Sequence, residues 1–307
     1  MRVNLHQFFP YQFGFFPAAH CIHYKERTAY TPRQLRLLFG ANDLDKPYES
    51  EERSPSQIII HSSWNPSEIR FTGDIAVLVL RNDIKFSHFI RPICLLSEDL
   101  GITKGVVAAW GKDDKSARNY ENIPRKLTVP IIPDGVCFRE NSELAKMAWE
   151  ESFCAGQPGM GVCSGDSGGG FYVELSGKFY FRGFVSSSLL TASGCYTENY
   201  AIYTDVVKYS SFIGGEKSLG QTCGLMSSEP SSTSRENFAT RFQFPWLVSI
   251  SLTRNYVDFE HSGSGSLITS RHVVSHAKAV AWANTYNRYV AYTTNFVKLH
   301  FATTMYG

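Results

Sequence analysis

Ser167 lies in a segment of small residues that could serve a serine nucleophile. The segment reads GVCSGDSGGGF from Gly161 to Phe171 and contains five glycines. Such a composition also suits an ordinary turn, because Gly, Ser and Asp tolerate positive φ angles and bond to nearby backbone. The alternative is that the backbone wraps closely around the Ser167 hydroxyl. Two amide N–H groups would then point into a hollow beside it.

A serine hydroxyl needs a base to accept its proton, and the base needs a group that orients it. Among nine histidines, His20 is distinguished by its context, PAAHC at residues 17–21. Among the aspartates, Asp74 directly precedes IAVLVL, an apolar segment that looks like a buried strand, so its carboxylate would lie at the start of that strand. Each also has a plain structural interpretation, a packed turn for His20 and a surface turn for Asp74. Taken together, the three residues indicate a nucleophile, a base and an orienting acid.

Composition indicates a globular, all-β protein. The chain has 307 residues, 43% of them apolar, and a net charge of +2, which gives no reason to expect nucleic acid or a membrane surface as a partner. Strand-like patches at 57–60, 74–80, 105–110 and 178–186 are separated by turn residues, a rhythm typical of a β-sandwich or barrel. Helical segments are predicted near Asp205–Ile213 and at Ser142–Glu151.

The seven cysteines indicate disulfides rather than a metal site. No CxxC pair or other zinc spacing occurs, so no metal and no cofactor are expected. Buried free thiols in a cytosolic protein are the alternative. The first sixteen residues are a poor signal peptide, because polar residues and Pro10 interrupt their apolar stretch. The first residues therefore do not by themselves indicate secretion, and that prediction depends on the family resemblance described next.

The motifs PAAHC, GDIAVLVL and CSGDSGGG, in that order, resemble those of the trypsin/chymotrypsin-like serine proteases. Flanking segments extend the resemblance over about residues 17–213: RPICLL at 91–96, GVVAAWGK at 105–112, FCAG at 153–156 and YAIYTDVVKYSSFI at 200–213. The resemblance implies two six-stranded antiparallel β-barrels of the chymotrypsin type with a C-terminal helix. It also implies a secreted, extracellular protein.

The same resemblance assigns roles to the candidate site residues. His20 would act as general base toward Ser167 and Asp74 would orient the imidazole, while the N–H groups of Gly165 and Ser167 would form the oxyanion hole. It also implies two disulfides, Cys163 with Cys195 and Cys137 with Cys154. Three cysteines remain without an assigned partner: Cys21, Cys94 and Cys223.

The specificity pocket is expected to be small-lined and uncharged. Gly161 occupies the position, six residues before Ser167, where trypsin-like members carry an acid. Ser186 and Ser188 belong to the wall, and Ala201 is its remaining member. Such a pocket favours small or medium apolar residues at the cleavage site. The alternative is a malformed pocket that binds nothing well.

The family's opening segment does not precede His20. Members begin with a free Ile-Val-Gly-Gly type terminus and a CGGSLI strand, so the first barrel is expected to be incomplete at its N-terminus and Cys21 to be unpaired. In the family, Asp166 forms a buried ion pair with the new terminus, which orders the oxyanion hole. Removing one partner of such a pair is strongly destabilising. Without that terminus, the hole is expected to stay collapsed.

The C-terminal part resembles the beginning of a second protease module. We predict a protease domain at 1–216, a linker at 217–236 and a partial, degenerate module at 237–307. Alignment puts Lys278 where a catalytic histidine belongs, with Ala279 and Gly263 replacing both cysteines of one disulfide. The tail is then a truncated fragment. The alternative is that its strands fold back and complete the first barrel, as in a circular permutation.

Two functions follow from these observations. The first is a serine endopeptidase that hydrolyses peptide bonds of protein or peptide substrates through an acyl-enzyme. The second is a non-catalytic protease homologue that binds partners in an extracellular proteolytic cascade, such as cascade proteases or serpin-type inhibitors. The catalytic residues favour the first, and the absent activation terminus and degenerate tail favour the second.

Overall fold

The computed structural model describes residues 30–64, 70–112, 122–191, 194–195, 199–214, 222–227, 237–240, 243–253, 255–277 and 280, with 190, 191, 194 and 195 as backbone only. His20, Cys21, Lys278 and Ala279 lie outside the described residues.

Strands dominate the described chain. In chain order they are β1 (Leu35–Phe39), β2 (Glu51–Arg53), β3 (Pro55–Ile60), β4 (Ala76–Leu80), β5 (Cys94–Leu95), β6 (Lys104–Ala109), β7 (Arg125–Ile132), β8 (Ser152–Ala155), β9 (Gly170–Leu175), β10 (Lys178–Ser188), β11 (Leu190–Thr191), β12 (Gly194–Cys195), β13 (Ala201–Asp205), β14 (Leu247–Thr253), β15 (Phe259–Leu267) and β16 (His272–Ser275). The described helices are α1 (Asp134–Glu140), α2 (Ser142–Met147) and α3 (Ser210–Ile213), with short 3-10 turns at Pro32–Gln34 and Pro47–Glu49.

The strands form two large sheets and one small hairpin. The second sheet has the order β13-β8-β7-β6-β9-β10, and pairing of β13 with β10 closes it into a six-stranded barrel, with β5 added in parallel beside β10. The first sheet, in the order β2-β1-β14-β15-β16-β4-β3, curls into a half-barrel. The small hairpin joins β11 to β12. The predicted all-β fold of the chymotrypsin type is confirmed.

Three strands from the C-terminal part of the chain lie inside the first sheet. Strand β14 pairs with β1, and Ile250 faces Leu37 in the register. Strand β16 pairs with β4, and Val274 faces Val77. This order agrees with the circular-permutation alternative, in which the tail strands fold back into the sheet of β1 and β4. The domain boundaries at 216 and 236 stay predictions.

Apolar packing explains why the tail adopts this place. Its strands bury their apolar side chains in the same core as β1 and β4. Trp246, fully buried just before β14, packs against Tyr172 of β9 and Phe179 of β10, with ring centroids 5.5 and 5.6 Å apart. The Tyr172 hydroxyl also bonds the Ser266 hydroxyl at 2.8 Å in the buried interior. The tail therefore contacts both sheets.

The helices lie at the predicted positions but are shorter than predicted. Helix α3 falls within Asp205–Ile213 and ends at Gly214, whose φ of 108° turns the chain out of the helix. Helix α2 falls within Ser142–Glu151, and the side chain of Asn141 caps it by accepting from the Glu143 and Leu144 amides. Helix α1 was not predicted, because seven residues show too little helical periodicity.

Candidate active site

The Ser167 loop lies at the entry to strand β9 and is fixed by its own backbone. The Asp166 amide donates to the Cys163 carbonyl at 3.0 Å, and the Gly168 amide donates to the Val185 carbonyl of β10 at 2.8 Å. Gly168 has a φ of 78°, and a Cβ there would collide with the Ser264 carbonyl. Glycine is therefore required at this position by both conformation and space. The predicted wrapping of the backbone around the Ser167 hydroxyl stays a prediction.

Two amides beside Ser167 have no competing partner among the described residues. Neither the Gly165 nor the Ser167 N–H donates to another described group. Gly165 has a φ of 92°, which orients its peptide groups in a way that other residues rarely adopt. The Ser167 hydroxyl likewise makes no hydrogen bond within the described part of the chain, and its residue is partly exposed. The role of the two amides as oxyanion donors stays a prediction.

Asp74 is fully buried at the start of β4, and several elements hold it. The Ser186 hydroxyl donates to one carboxylate oxygen, and the Ala277 amide donates to the other at 3.0 Å. Ser186 is the extra residue of a β-bulge in β10, between Val185 and Ser187 in the register with β13. Bulges re-aim side chains beside active sites, and this one turns a hydroxyl toward Asp74.

The loop before Asp74 is pinned by an aromatic hydroxyl. Tyr209 accepts a hydrogen bond from the Gly73 amide at 3.1 Å and another from the Trp149 indole at 3.2 Å. Burial is the main cause that raises the pKa of Tyr209 to about 12. Asp74 thus lies on a rigid support and not in a surface turn.

The structure brings Asp74 and Ser167 into contact with the same tail segment. The Ser264 amide of β15 donates to the Ser167 carbonyl at 3.0 Å. Ala277 lies just after β16, and its amide donates to the Asp74 carboxylate at 3.0 Å. Sequence reasoning placed Lys278, the next residue, where a catalytic histidine belongs. The predicted base, His20, lies outside the described residues, so its role stays a prediction.

Asp166 has a buried counter-charge that the sequence analysis did not identify. A guanidinium nitrogen of Arg125 lies 2.8 Å from its Oδ2, and the two side chains are 10% and 3% exposed. The Cys163 amide donates to Oδ2 at 2.7 Å and the Gly111 amide donates to Oδ1 at 2.8 Å. Burial raises the pKa of Asp166, while Arg125 and the two amides act to lower it. Asp166 therefore has a cation beside it, which the sequence analysis did not expect, and the state of the oxyanion hole stays a prediction.

His261 is a second residue that sequence reasoning missed. It is partly buried on β15, and its Nδ1 lies 3.1 Å from the Ser249 hydroxyl. Burial lowers the pKa of His261 to about 4, while the nearby Gly165 backbone acts to raise it, so the ring is neutral near pH 7. No spacing pattern in the sequence distinguishes this histidine from the other eight.

Three of the predicted pocket residues, Ser186, Ser188 and Ala201, lie at the end of β10 and the start of β13. Ser188 pairs with Ala201 of β13, which in turn pairs with Ala155 of β8. Gly161, Ser186 and Ala201 are buried, and Ser188 is partly exposed. Their roles in binding stay predictions.

Two disulfides are described in full. Cys137 bonds to Cys154, as the resemblance implied. Cys94 bonds to Cys223, which settles two of the cysteines left without an assigned partner. Cys163 is disulfide-bonded, but the side chain of Cys195 lies outside the described ones, so that pairing stays a prediction.

Comparison with known proteins agrees with this architecture. A sequence model of the trypsin family, described as Trypsin, matches residues 12–213. Serine protease gd of Drosophila melanogaster is 26% identical over 235 residues, which cover 64% of this chain and 44% of that protein. Coagulation factor IX of Cavia porcellus is 30% identical over 200 residues, covering 62% and 65%. Trypsin-1 of Astacus astacus is 29% identical over 194 residues, covering 62% and 77%.

The fold, the Ser167 loop and these matches together define a protein of the trypsin-like serine protease class. The chain belongs to the trypsin family, because the family match extends over well more than half of its residues. The chain spans about half to two thirds of the length of the first relatives it matches. Within the described part, no helix is long and apolar enough to cross a membrane.

Proposed function

We propose that this chain is a serine endopeptidase in which Ser167 is the nucleophile, His20 the general base and Asp74 the group that orients the base. The observation that carries the proposal is the Ser167 loop. Its hydroxyl makes no hydrogen bond to a described residue, and the adjacent amides of Gly165 and Ser167 are equally unengaged. Both residues are partly exposed, and three neighbouring polar groups that no described residue engages are what an acyl-transfer site would need, which supports the proposal.

The proposed reaction proceeds through an acyl-enzyme. The Ser167 oxygen attacks the scissile carbonyl carbon while His20 accepts the hydroxyl proton, and the Gly165 and Ser167 amides stabilise the oxyanion. His20 then protonates the leaving amine, and an ester remains on Ser167. Water attacks this ester with the same proton transfers, which releases the carboxylic acid and restores the hydroxyl.

The pocket supports a preference for small or medium apolar residues before the cleaved bond. Gly161 leaves its floor without a charge, and the serines at 186 and 188 with Ala201 give walls of little volume. An unpaired basic side chain would lose its hydration there without gaining a counter-charge, which is costly. The proposed substrates are therefore protein chains with uncharged residues at this position.

Covalent labelling with a fluorophosphonate probe tests the proposal, because the probe reacts with an activated serine inside a formed oxyanion hole. The full chain is expected to be labelled, and Ser167→Ala and His20→Ala are expected to abolish labelling. Ser164→Ala is the matched control, since Ser164 lies in the same loop and is expected to leave the rate unchanged. A folded parent chain that stays unlabelled would contradict the proposal.

A second candidate function is that of a non-catalytic homologue that binds cascade proteases or serpin-type inhibitors. The observation that favours it is the bond between the Ala277 amide and Asp74, because the next residue in that segment is Lys278 and not histidine. One relative is named a coagulation factor, which supports a cascade. An extracellular location is proposed for both functions, since disulfides persist in oxidising compartments.

The substitution Lys278→His tests which segment can provide the base. If the tail can provide it, this change in the His20→Ala background is expected to restore labelling at Ser167. If His20 is the base, the single variant Lys278→His is expected to leave the labelling rate of the parent unchanged. Labelling that survives His20→Ala alone would contradict the assigned base.

A further inference from the structure

We propose that Arg125 is a positioning residue: its guanidinium, paired with Asp166, holds the proposed oxyanion-hole amides in place. The inference rests on the proposed role of Ser167 as nucleophile. It assigns to a side chain within the domain the counter-charge that the family takes from a newly cleaved terminus.

The Asp166 carboxylate links three elements around the nucleophile. Asp166 stands in the chain between Gly165 and Ser167, the two residues whose amides face the reaction site. Its oxygens accept from the Gly111 amide after β6, from the Cys163 amide at the start of the loop, and from Arg125 at the start of β7. A Cβ at Gly111 would collide with the carboxylate, so the pocket fits Asp166 closely. Movement of this carboxylate would therefore move both amides.

Among the described residues, Asp166 is the one acidic side chain that pairs with the Arg125 guanidinium. It opens β7, where its backbone pairs with Ala109 of β6 and bridges to Phe238. The Lys126 amide donates to the Asn237 carbonyl at 3.0 Å, so the segment before the tail strands borders the same place. The arginine side chain is 10% exposed, and a guanidinium stays protonated at any pH that proteins tolerate.

The electrostatic argument predicts what the loss of Arg125 would do. A buried carboxylate that keeps two amide bonds but loses its cation is left with an uncompensated charge. The chain relieves that charge by turning Asp166 toward water, which rotates the Gly165 and Ser167 amides away from the oxyanion position. Removal of oxyanion donors lowers acylation rates by about a hundredfold or more.

The test compares the full chain with Arg125→Gln, Arg125→Lys and Arg182→Gln. Arg182 is the matched control, because it forms another buried ion pair, with Asp205, in the same barrel. Two readouts are taken: the fluorophosphonate labelling rate, and amide hydrogen exchange of the peptide spanning residues 161–171 by mass spectrometry. The exchange readout does not need an active enzyme.

Arg125→Gln is expected to lower the labelling rate by about a hundredfold and to accelerate exchange in peptide 161–171. Arg125→Lys keeps the charge and is expected to restore both readouts toward the parent. Arg182→Gln is expected to lower the urea midpoint while it leaves the exchange of this peptide unchanged. If Arg125→Gln does not fold, Asp166→Asn breaks the same ion pair from the other side and is expected to loosen the same peptide.

The outcomes separate the inference from the proposed function. A parent that is never labelled refutes the role of Ser167, and the exchange data then decide the role of Arg125 alone. Parent-like exchange and labelling in Arg125→Gln would overturn the inference. Equal loosening of peptide 161–171 by Arg182→Gln would overturn it as well, because the effect would then be general destabilisation.

Discussion

Replacing Trp246 by alanine tests whether the tail strands and the two barrels form one cooperative unit. Trp246 is fully buried and contacts Tyr172, Phe179 and Phe244, whose ring centroids lie 5.5, 5.6 and 6.3 Å away. Truncation of a buried tryptophan to alanine typically costs about 3–5 kcal/mol. Folded domains are stable by about 5–15 kcal/mol. The substitution is therefore expected to remove a large share of the free energy of unfolding.

The assay is urea unfolding of the full chain, followed by circular dichroism and by hydrogen exchange of the β9 peptide 170–175. Because Tyr172 of β9 lies against Trp246, both probes are expected to move to a lower urea concentration together. Tyr256→Ala is the matched control in the tail. Its ring is 59% exposed, and the change is expected to stay within about 0.5 kcal/mol.

An independent tail module would behave differently. Two separate transitions, with β9 protection unchanged by Trp246→Ala, would refute the shared unit and favour the predicted division of the chain at 216 and 236. A single transition shifted by less than about 1 kcal/mol would show that the tail contributes little to the core.

Three further predictions follow from the structure. Gly161→Asp is expected to shift cleavage of a peptide library toward Arg or Lys before the cut bond, by about 2 kcal/mol or more in relative kcat/KM; no shift would contradict the assigned pocket floor. Replacing Cys94 and Cys223 by alanine is expected to destabilise the chain by about 2 kcal/mol more than replacing Cys137 and Cys154. The first disulfide joins residues 129 positions apart and the second joins residues 17 positions apart, and a disulfide that closes a longer loop removes more conformational entropy from the unfolded chain. Equal urea midpoints of the two variants would contradict this. The pKa of His261 is lowered to about 4 in the folded chain, so between about pH 6.5 and 4 the unfolded chain binds one proton more than the folded chain does. The free energy of unfolding therefore falls as the pH falls through that window, by about 3 kcal/mol in total. His261→Gln is expected to flatten that part of the plot of stability against pH, and an unchanged plot would refute the assignment.

Local sequence patterns predicted the parts of the structure that local interactions determine. The alternating or continuous apolar runs of β3, β4, β6 and β10 identified these strands within a few residues, because burial of one or both faces selects such runs. The Ser167 loop was predicted for a similar reason. Its glycines indicated little room for side chains, and Gly168 lies against the Ser264 carbonyl, a contact with the tail that the sequence analysis did not predict.

Long-range contacts account for what the sequence analysis missed. Arg125 opens an ordinary strand, and nothing near it in the sequence indicates a partner 41 residues away at Asp166. His261 contacts Ser249 on the neighbouring strand β14, but the Gly165 backbone near its ring belongs to a distant segment. Such contacts depend on how strands are ordered in the sheets, and that order does not follow from periodicity.

The tail strands and the candidate site depend on each other. Asp74 accepts a hydrogen bond from Ala277, and Ser167 accepts one from Ser264, so the tail holds both the proposed orienting acid and the proposed nucleophile. A chain cut at residue 216 would lose both donors and would expose the core face of β1 and β4. Buried acceptors without partners cost free energy, and Asp74 would gain access to water. The strands that complete the first sheet are therefore part of the candidate active site, whichever segment provides its base.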